Sequence, residues 1–201
     1  MSARPPDRYT HGHHTSVLAS HRTRTAADSA AYLLPHLRAG QRLLDVGCGP
    51  GTITLDLAQL VAPGQTVALE REETVLAEVQ ALAARRGLDD LVTTVGDVYA
   101  LEFDDASFDI VHAHQVLQHL TDPVAALREM RRVTRPDGLV AARDGDYATM
   151  TWYPTEPRLE RWLEVYCAVA RSNGAEPDAG RRLLSWAHSA GFSRVCLLYT
   201  S

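Results

Sequence analysis

At 201 residues, 45% hydrophobic and 22% charged, the chain has the size and apolar content of one well-packed domain and is neither disordered nor fibrous. A formal charge of −5 and a pI near 6.0 give no net attraction to nucleic acid or an anionic membrane, which favours small substrates over polyanions. No segment approaches the ~20 apolar residues of a membrane span. Met1–Asp7 lacks the apolar stretch of a signal peptide, and the scattered Cys48, Cys167 and Cys196 have no metal-ligand spacing, so a cytoplasmic protein with free thiols is expected.

After a polar, histidine-rich start that includes Tyr9-Thr10-His11-Gly12-His13-His14, residues 25–37 predict a helix ending near Pro35, with a turn at Ala39-Gly40. A strand follows over Arg42–Val46. Ile53, Leu57, Leu60 and Val61 recur at helical spacing and stop at Pro63-Gly64. Thr66–Glu70 reads as a second strand, Val75, Val79, Leu82 and Ala83 as a second helix ending at Gly87, and Leu91–Val95 as a third strand. Ser107–His112 is a fourth. The next helix has Thr121 or Asp122 as N-cap and Pro123 in its first turn, and Gly138–Arg143 is a fifth strand. Beyond Asp144 the alternation stops. Leu159, Trp162, Leu163, Tyr166, Val169 and Ala170 predict one sharply apolar helix face, and a last helix from Pro177-Asp178 to Ala190-Gly191-Phe192 leads into a sixth strand. Strands alternating with helices indicate an α/β fold, a Rossmann-like, mostly parallel sheet with helices on both faces.

Between the first strand and its helix runs Asp45-Val46-Gly47-Cys48-Gly49-Pro50-Gly51-Thr52. Glycines lack a Cβ, so this turn can take positive φ and bring backbone N–H groups against a ligand. A dinucleotide fingerprint would want its third glycine where Thr52 stands, so the spacing argues for a different nucleoside. Ligands of such sheets bind outside the carboxyl ends of the strands. Those ends carry Asp45, suited to an ammonium group or ordered water; Glu70, placed to accept from both ribose hydroxyls; Asp97, able to accept from an adenine amino group; and His112-Ala113-His114-Gln115.

These stretches resemble class I S-adenosylmethionine (SAM) methyltransferases, specifically the ubiquinone/menaquinone-biosynthesis type, over roughly residues 40–145. The resemblance implies SAM as cofactor, with Asp45, Gly47, Gly49 and Gly51 around its methionine moiety, Glu70 at the ribose, Asp97 and Val98 at the adenine, His114 bordering the cofactor, and Arg71 also among the cofactor-binding residues. It departs from the family at Asp137, where a second glycine is common, and has His-Ala-His-Gln where base-methylating enzymes carry an Asn/Asp-Pro-Pro-aromatic motif. A small, apolar or aromatic acceptor is expected, with no nucleic acid partner and no metal. A SAM-binding regulatory module without turnover, or another nucleoside-dependent transferase, is the alternative.

Histidine suits removal of an acceptor proton, and His14 and His119 are the candidates. Residues 1–39 are expected to form an N-terminal lid and helix, with Tyr9–His14 closing over cofactor. Residues 40–201 are expected to form the SAM-binding domain, and within it residues 145–190 a helical segment covering the substrate, with Trp152, Tyr153 and Trp162 roofing the acceptor pocket. Twenty basic residues, all arginine, point to a high-GC bacterial gene. The final Cys196–Ser201 is what a common transposon adapter encodes, so adapter read-through and a truncated C-terminus lacking the last strand of the fold are expected.

Overall fold

The computed structural model describes residues 21–199. Its elements are α1 (Ala26–Ser29), β1 (Leu43–Val46), α2 (Thr52–Val61), β2 (Thr66–Glu70), α3 (Glu73–Arg86), β3 (Leu91–Val95), β4 (Phe108–His114), α4 (Pro123–Val133), β5 (Thr134–Arg143), α5 (Pro157–Ser172) and α6 (Leu183–Ser189). All five strands pair in parallel, in the order β3-β2-β1-β4-β5. The order reverses between β1 and β4, which opens a crevice beyond their carboxyl ends.

Side-chain alternation along the strands builds two cores. Leu44, Val46, Val67, Leu69, Val111 and Ala113 face α4, whose Ala126, Leu127, Met130 and Val133 pack against them. The residues between them turn to the other face, where Leu43, Ile110 and Ala141 meet Ile53, Leu57 and Val61 of α2 and Ala26, Ala30 and Leu33 of the α1 region. On that same side Ala68 packs with Leu76, Val79 and Ala83 of α3. Strand β1 is buried throughout and β2 nearly so, as a parallel sheet covered on both faces demands.

Several expected elements differ in the structure. The helix expected over residues 25–37 is cut to α1: Thr25 and Asp28 form a capping box, the chain leaves helical geometry at Ala30, and Pro35 sits in a separate 3-10 turn, Leu34–His36. A proline ring clashes with the carbonyl four residues back, which bars an α-helix through that position. Strand β4 runs two residues beyond His112, and β5 begins at Thr134, its pairing jumping from Phe108↔Thr134 to Ile110↔Leu139 across a bulge. The apolar stripe of α5 is not buried: Leu159, Trp162 and Val169 are 44–48% exposed and only Ala170 is fully covered. Its rings instead form a ladder, Trp162 on Tyr166 at 5.6 Å and Tyr166 on Tyr147 at 4.4 Å. The sixth strand does not form, residues 194–199 being irregular. No described helix is long and apolar enough to cross a membrane.

Candidate active site

A cavity of about 440 Å³ lies at the carboxyl ends of β1 to β4, within the range of small-molecule sites. The β1–α2 turn forms one wall. Gly47, Gly49 and Gly51 all take positive φ, at +67°, +51° and +79°. A side chain on Gly47 would stand 2.6 Å from Val116 Cγ2, and one on Gly51 2.9 Å from Val79, whereas one on Gly49 would meet nothing within 4 Å. Two of these glycines therefore allow close packing under the turn, and the third leaves space above it.

Each strand end contributes as its position dictates. Asp45 is buried, its Oδ2 accepting from Thr54 Oγ1 at 2.5 Å and its Oδ1 facing His112 Nδ1 at 2.7 Å. The carboxylate anticipated for an ammonium group thus already serves two protein donors. Glu70 ends β2 with Oε2 accepting the Gly49 N–H at 3.1 Å and Oε1 the Arg71 N–H at 2.8 Å. A carboxylate has about four acceptor positions, so these two donors leave about two more, and Glu70 lines the cavity. Gly96 and Val98 line the wall after β3. Asp97 between them is exposed, and its Oδ1 accepts from the Tyr99 N–H at 3.0 Å in a local turn. His114 closes β4 at the cavity wall. Burial, with His112 beside it, lowers its imidazole to about 3, so it is neutral, and its Nδ1 is enclosed without a hydrogen-bond partner among the described residues.

Several wall residues carried no signal in the motif pattern. His21 and Arg24 reach the cavity from ahead of α1, held there because the Ala26 N–H donates to Asp56 of α2 at 2.9 Å and Thr52 Oγ1 to the His21 carbonyl at 3.4 Å. The Thr25–Asp28 capping box was the available clue to where that segment turns. Gln115, also at the wall, holds φ +56°. Cys48 lines the cavity with its thiol pushed well up by burial and by the Asp45 and Glu70 carboxylates, which makes it a poor nucleophile.

Of the two candidate bases, His119 borders the cavity on the 3-10 turn Leu117–His119, and His14, with Tyr9–His14 as a whole, lies outside the described residues. Trp152, Tyr153, Trp162 and every other residue of 145–190 are absent from the cavity wall; Tyr153 is almost wholly exposed. Among the described residues no group of three His, Cys, Asp or Glu side chains is placed to hold a metal ion.

A glycine-rich turn, a carboxylate at the end of the second strand and a crevice at the sheet's switch point define a nucleoside-binding α/β domain of the class I type. The chain belongs to the methyltransferase domain family, whose model matches residues 37–191. It is 34% identical over 198 residues to an uncharacterized methyltransferase of Schizosaccharomyces pombe, covering 94% of this chain and 71% of that one. It is 34% identical over 144 residues to the demethylmenaquinone methyltransferase of Roseiflexus castenholzii, covering 69% of this chain but only 56% of the relative. Among solved structures, a SAM-dependent methyltransferase from Aquifex aeolicus superposes with a TM-score of 0.60 at 20% identity, over 79% of this chain and 87% of that one. This chain is a member of a methyltransferase family with the class I methyltransferase fold. Its relatives include a fungus as well as bacteria, so arginine usage does not decide its source.

Proposed function

We propose that the cavity holds SAM and a small, apolar or aromatic acceptor, with Glu70 as the ribose anchor. The observation that supports this is Glu70 itself: it lines the cavity at the end of β2, and its two oxygens are held by the N–H groups of Gly49 and Arg71. The residues fit the cofactor, since Gly47, Cys48 and Pro50 of the turn line the cavity and its three positive-φ glycines keep the turn free of side chains that would crowd it. Gly47 and Gly51 with Asp45 would flank the methionine end. Val98 would face the adenine, with Asp97 at the rim, and His114 would border the sulfonium.

When bound, SAM would supply an electrophilic methyl group to a nucleophilic atom of the acceptor. The chain's part is to hold the acceptor in line and exclude water. Val46, Ile53, Leu69, Val116 and Leu120 supply apolar wall for that purpose. A neutral His114 adds no positive charge against a cationic sulfonium. A relative named for demethylmenaquinone as its acceptor supports the acceptor class.

Titration calorimetry with SAM and S-adenosylhomocysteine tests the reading. Glu70→Ala removes a charged acceptor and is expected to weaken SAM binding by about 1.5–3 kcal/mol with the fold intact by circular dichroism. An unchanged dissociation constant overturns the ribose assignment. Binding without transfer of labelled methyl to any acceptor in a cell extract favours a SAM-binding module instead.

A further inference from the structure

We infer that Gln118 is a positioning residue that fixes His119 as the neutral Nδ1–H tautomer, so that His119 borders the acceptor as a hydrogen-bonding group and not as a general base at Nε2. The step rests on reading the cavity as a methyl-transfer site, whereas the tautomer itself can be observed without turnover.

Gln118 is almost fully buried and gripped at three points. Its backbone N–H donates to Asp144 Oδ1 at 2.9 Å, its carbonyl accepts from the Glu176 N–H at 2.9 Å, and its side-chain Oε1 accepts from the Gly145 N–H at 2.9 Å. A backbone N–H can only donate, so the amide oxygen must face Gly145 and the amide nitrogen must face the other way. There it stands 3.1 Å from His119 Nε2. The NH₂ group has only protons to offer, so Nε2 is the acceptor and the proton of the neutral ring resides on Nδ1. Protonating Nε2 would set N–H against N–H, and turning the amide over would leave the Gly145 N–H facing an NH₂ group.

Gly145 is part of the lock. A side chain at that position would come within 3.1 Å of the Tyr147 ring and 3.2 Å of Gln118 Oε1, pushing on the one contact that orients the amide. The result is a ring at the cavity wall whose Nε2 lone pair is already used. Two consequences follow for the reaction. A neutral imidazole, like the neutral His114, places no positive charge near a sulfonium. The acceptor must in turn present an atom that is already nucleophilic, such as an ionised enol or phenol oxygen, or lose its proton to a group other than His119 Nε2.

The test is long-range ¹H–¹⁵N correlation spectroscopy of the histidine rings in the full chain, with His119 assigned by its loss in H119Q. At neutral pH the expected pattern is a pyrrole-type Nδ1 and a pyridine-type Nε2, with or without S-adenosylhomocysteine. In Gln118→Glu a carboxylate occupies the same place and can accept from both Gly145 N–H and a proton on Nε2, so His119 is expected to bind its proton at least tenfold more tightly than in the wild type. The charged groups that share the cavity wall with His119, namely His21, Arg24, Asp45, Glu70, Arg71, Glu72 and His114, and Asp144 on the Gln118 N–H, are the same in both proteins, so the difference reports position 118. A protonated Nε2 in the wild type, or a His119 titration that does not move in Gln118→Glu, overturns the inference. Failure of SAM to bind by calorimetry would instead overturn the methyl-transfer reading and leave the tautomer standing.

Discussion

Gly47→Ala and Gly49→Ala form a matched pair that separates backbone strain from packing. Both glycines lie in left-handed geometry, φ +67° and +51°, so alanine costs each about 1–2 kcal/mol through its Cβ. At Gly49 that is the whole cost, since the new methyl meets nothing within 4 Å. At Gly47 the methyl would stand 2.6 Å from Val116 Cγ2, well inside the ~3.5–4.0 Å optimum for carbon atoms. Valine is stiff at χ1, and the turn that follows Val116 is tied down by Asp144 Oδ1 on the Gln118 N–H, so relief by rotation is limited. Overpacking of this kind adds about 1–3 kcal/mol, which brings Gly47→Ala to about 2–5 kcal/mol against a domain stability of about 5–15 kcal/mol. Urea unfolding gives the comparison directly: both midpoints should fall with unchanged slope, and that of Gly47→Ala further. Calorimetry with S-adenosylhomocysteine should also show weaker binding to Gly47→Ala, because Gly47 lines the cavity. Equal losses of stability in the two variants, or a larger loss at Gly49, would refute the reasoning.

Burial raises Asp144 from 3.8 to about 7 and lowers His114 from 6.5 to about 3, with opposite linkage to pH. The native state holds the extra proton at Asp144, so that stability is lost as pH rises through the window; the unfolded state holds it at His114, so that stability is lost as pH falls below the ordinary histidine value. The two slopes oppose each other, and Asp144→Asn is expected to leave stability rising between about pH 4.5 and 6.5 while His114→Gln leaves it falling; urea midpoints showing the same slope in both variants would contradict this. Asp45→Asn leaves a single amide oxygen for two donors, Thr54 Oγ1 and His112 Nδ1, and is expected to cost about 1–3 kcal/mol of unfolding free energy, read by the same denaturation assay.

The strands and helices of residues 42–133 were legible because their periodicities are local: a buried parallel strand is a continuous apolar run, and a helix covering it repeats every three to four residues. Val75, Val79 and Ala83 predict a helix ending at Gly87, and α3 does end there with Gly87 at φ +67°. The glycine turn and Glu70 were legible for the same reason, since a backbone at positive φ and a carboxylate at a strand's end are properties of a few adjacent residues. Where a side chain's partner is distant, the pattern was silent. Asp45 was placed correctly at the end of β1, yet only pairing of β1 with β4 sets it opposite His112, 67 positions away.

The stripe on α5 marks the division most plainly. Its spacing determined which residues share a face; whether that face is covered depends on what packs over it, and among the described residues Trp162 and Val169 stay about half exposed. His119 carries the same lesson at the site. Its residue type alone advertised a base, but the proton's position is decided by the Gly145 N–H acting through the Gln118 amide, and a hydrogen bond between residues 27 apart has no periodic trace in a sequence. The chain by itself thus determined the order of the elements from β1 to β5 and the glycine turn after β1, both set by local geometry, while the cofactor followed from the family resemblance those motifs carry. Tertiary structure alone decided which donors each buried carboxylate and imidazole meets, because those contacts exist only once the sheet has brought distant strands into register.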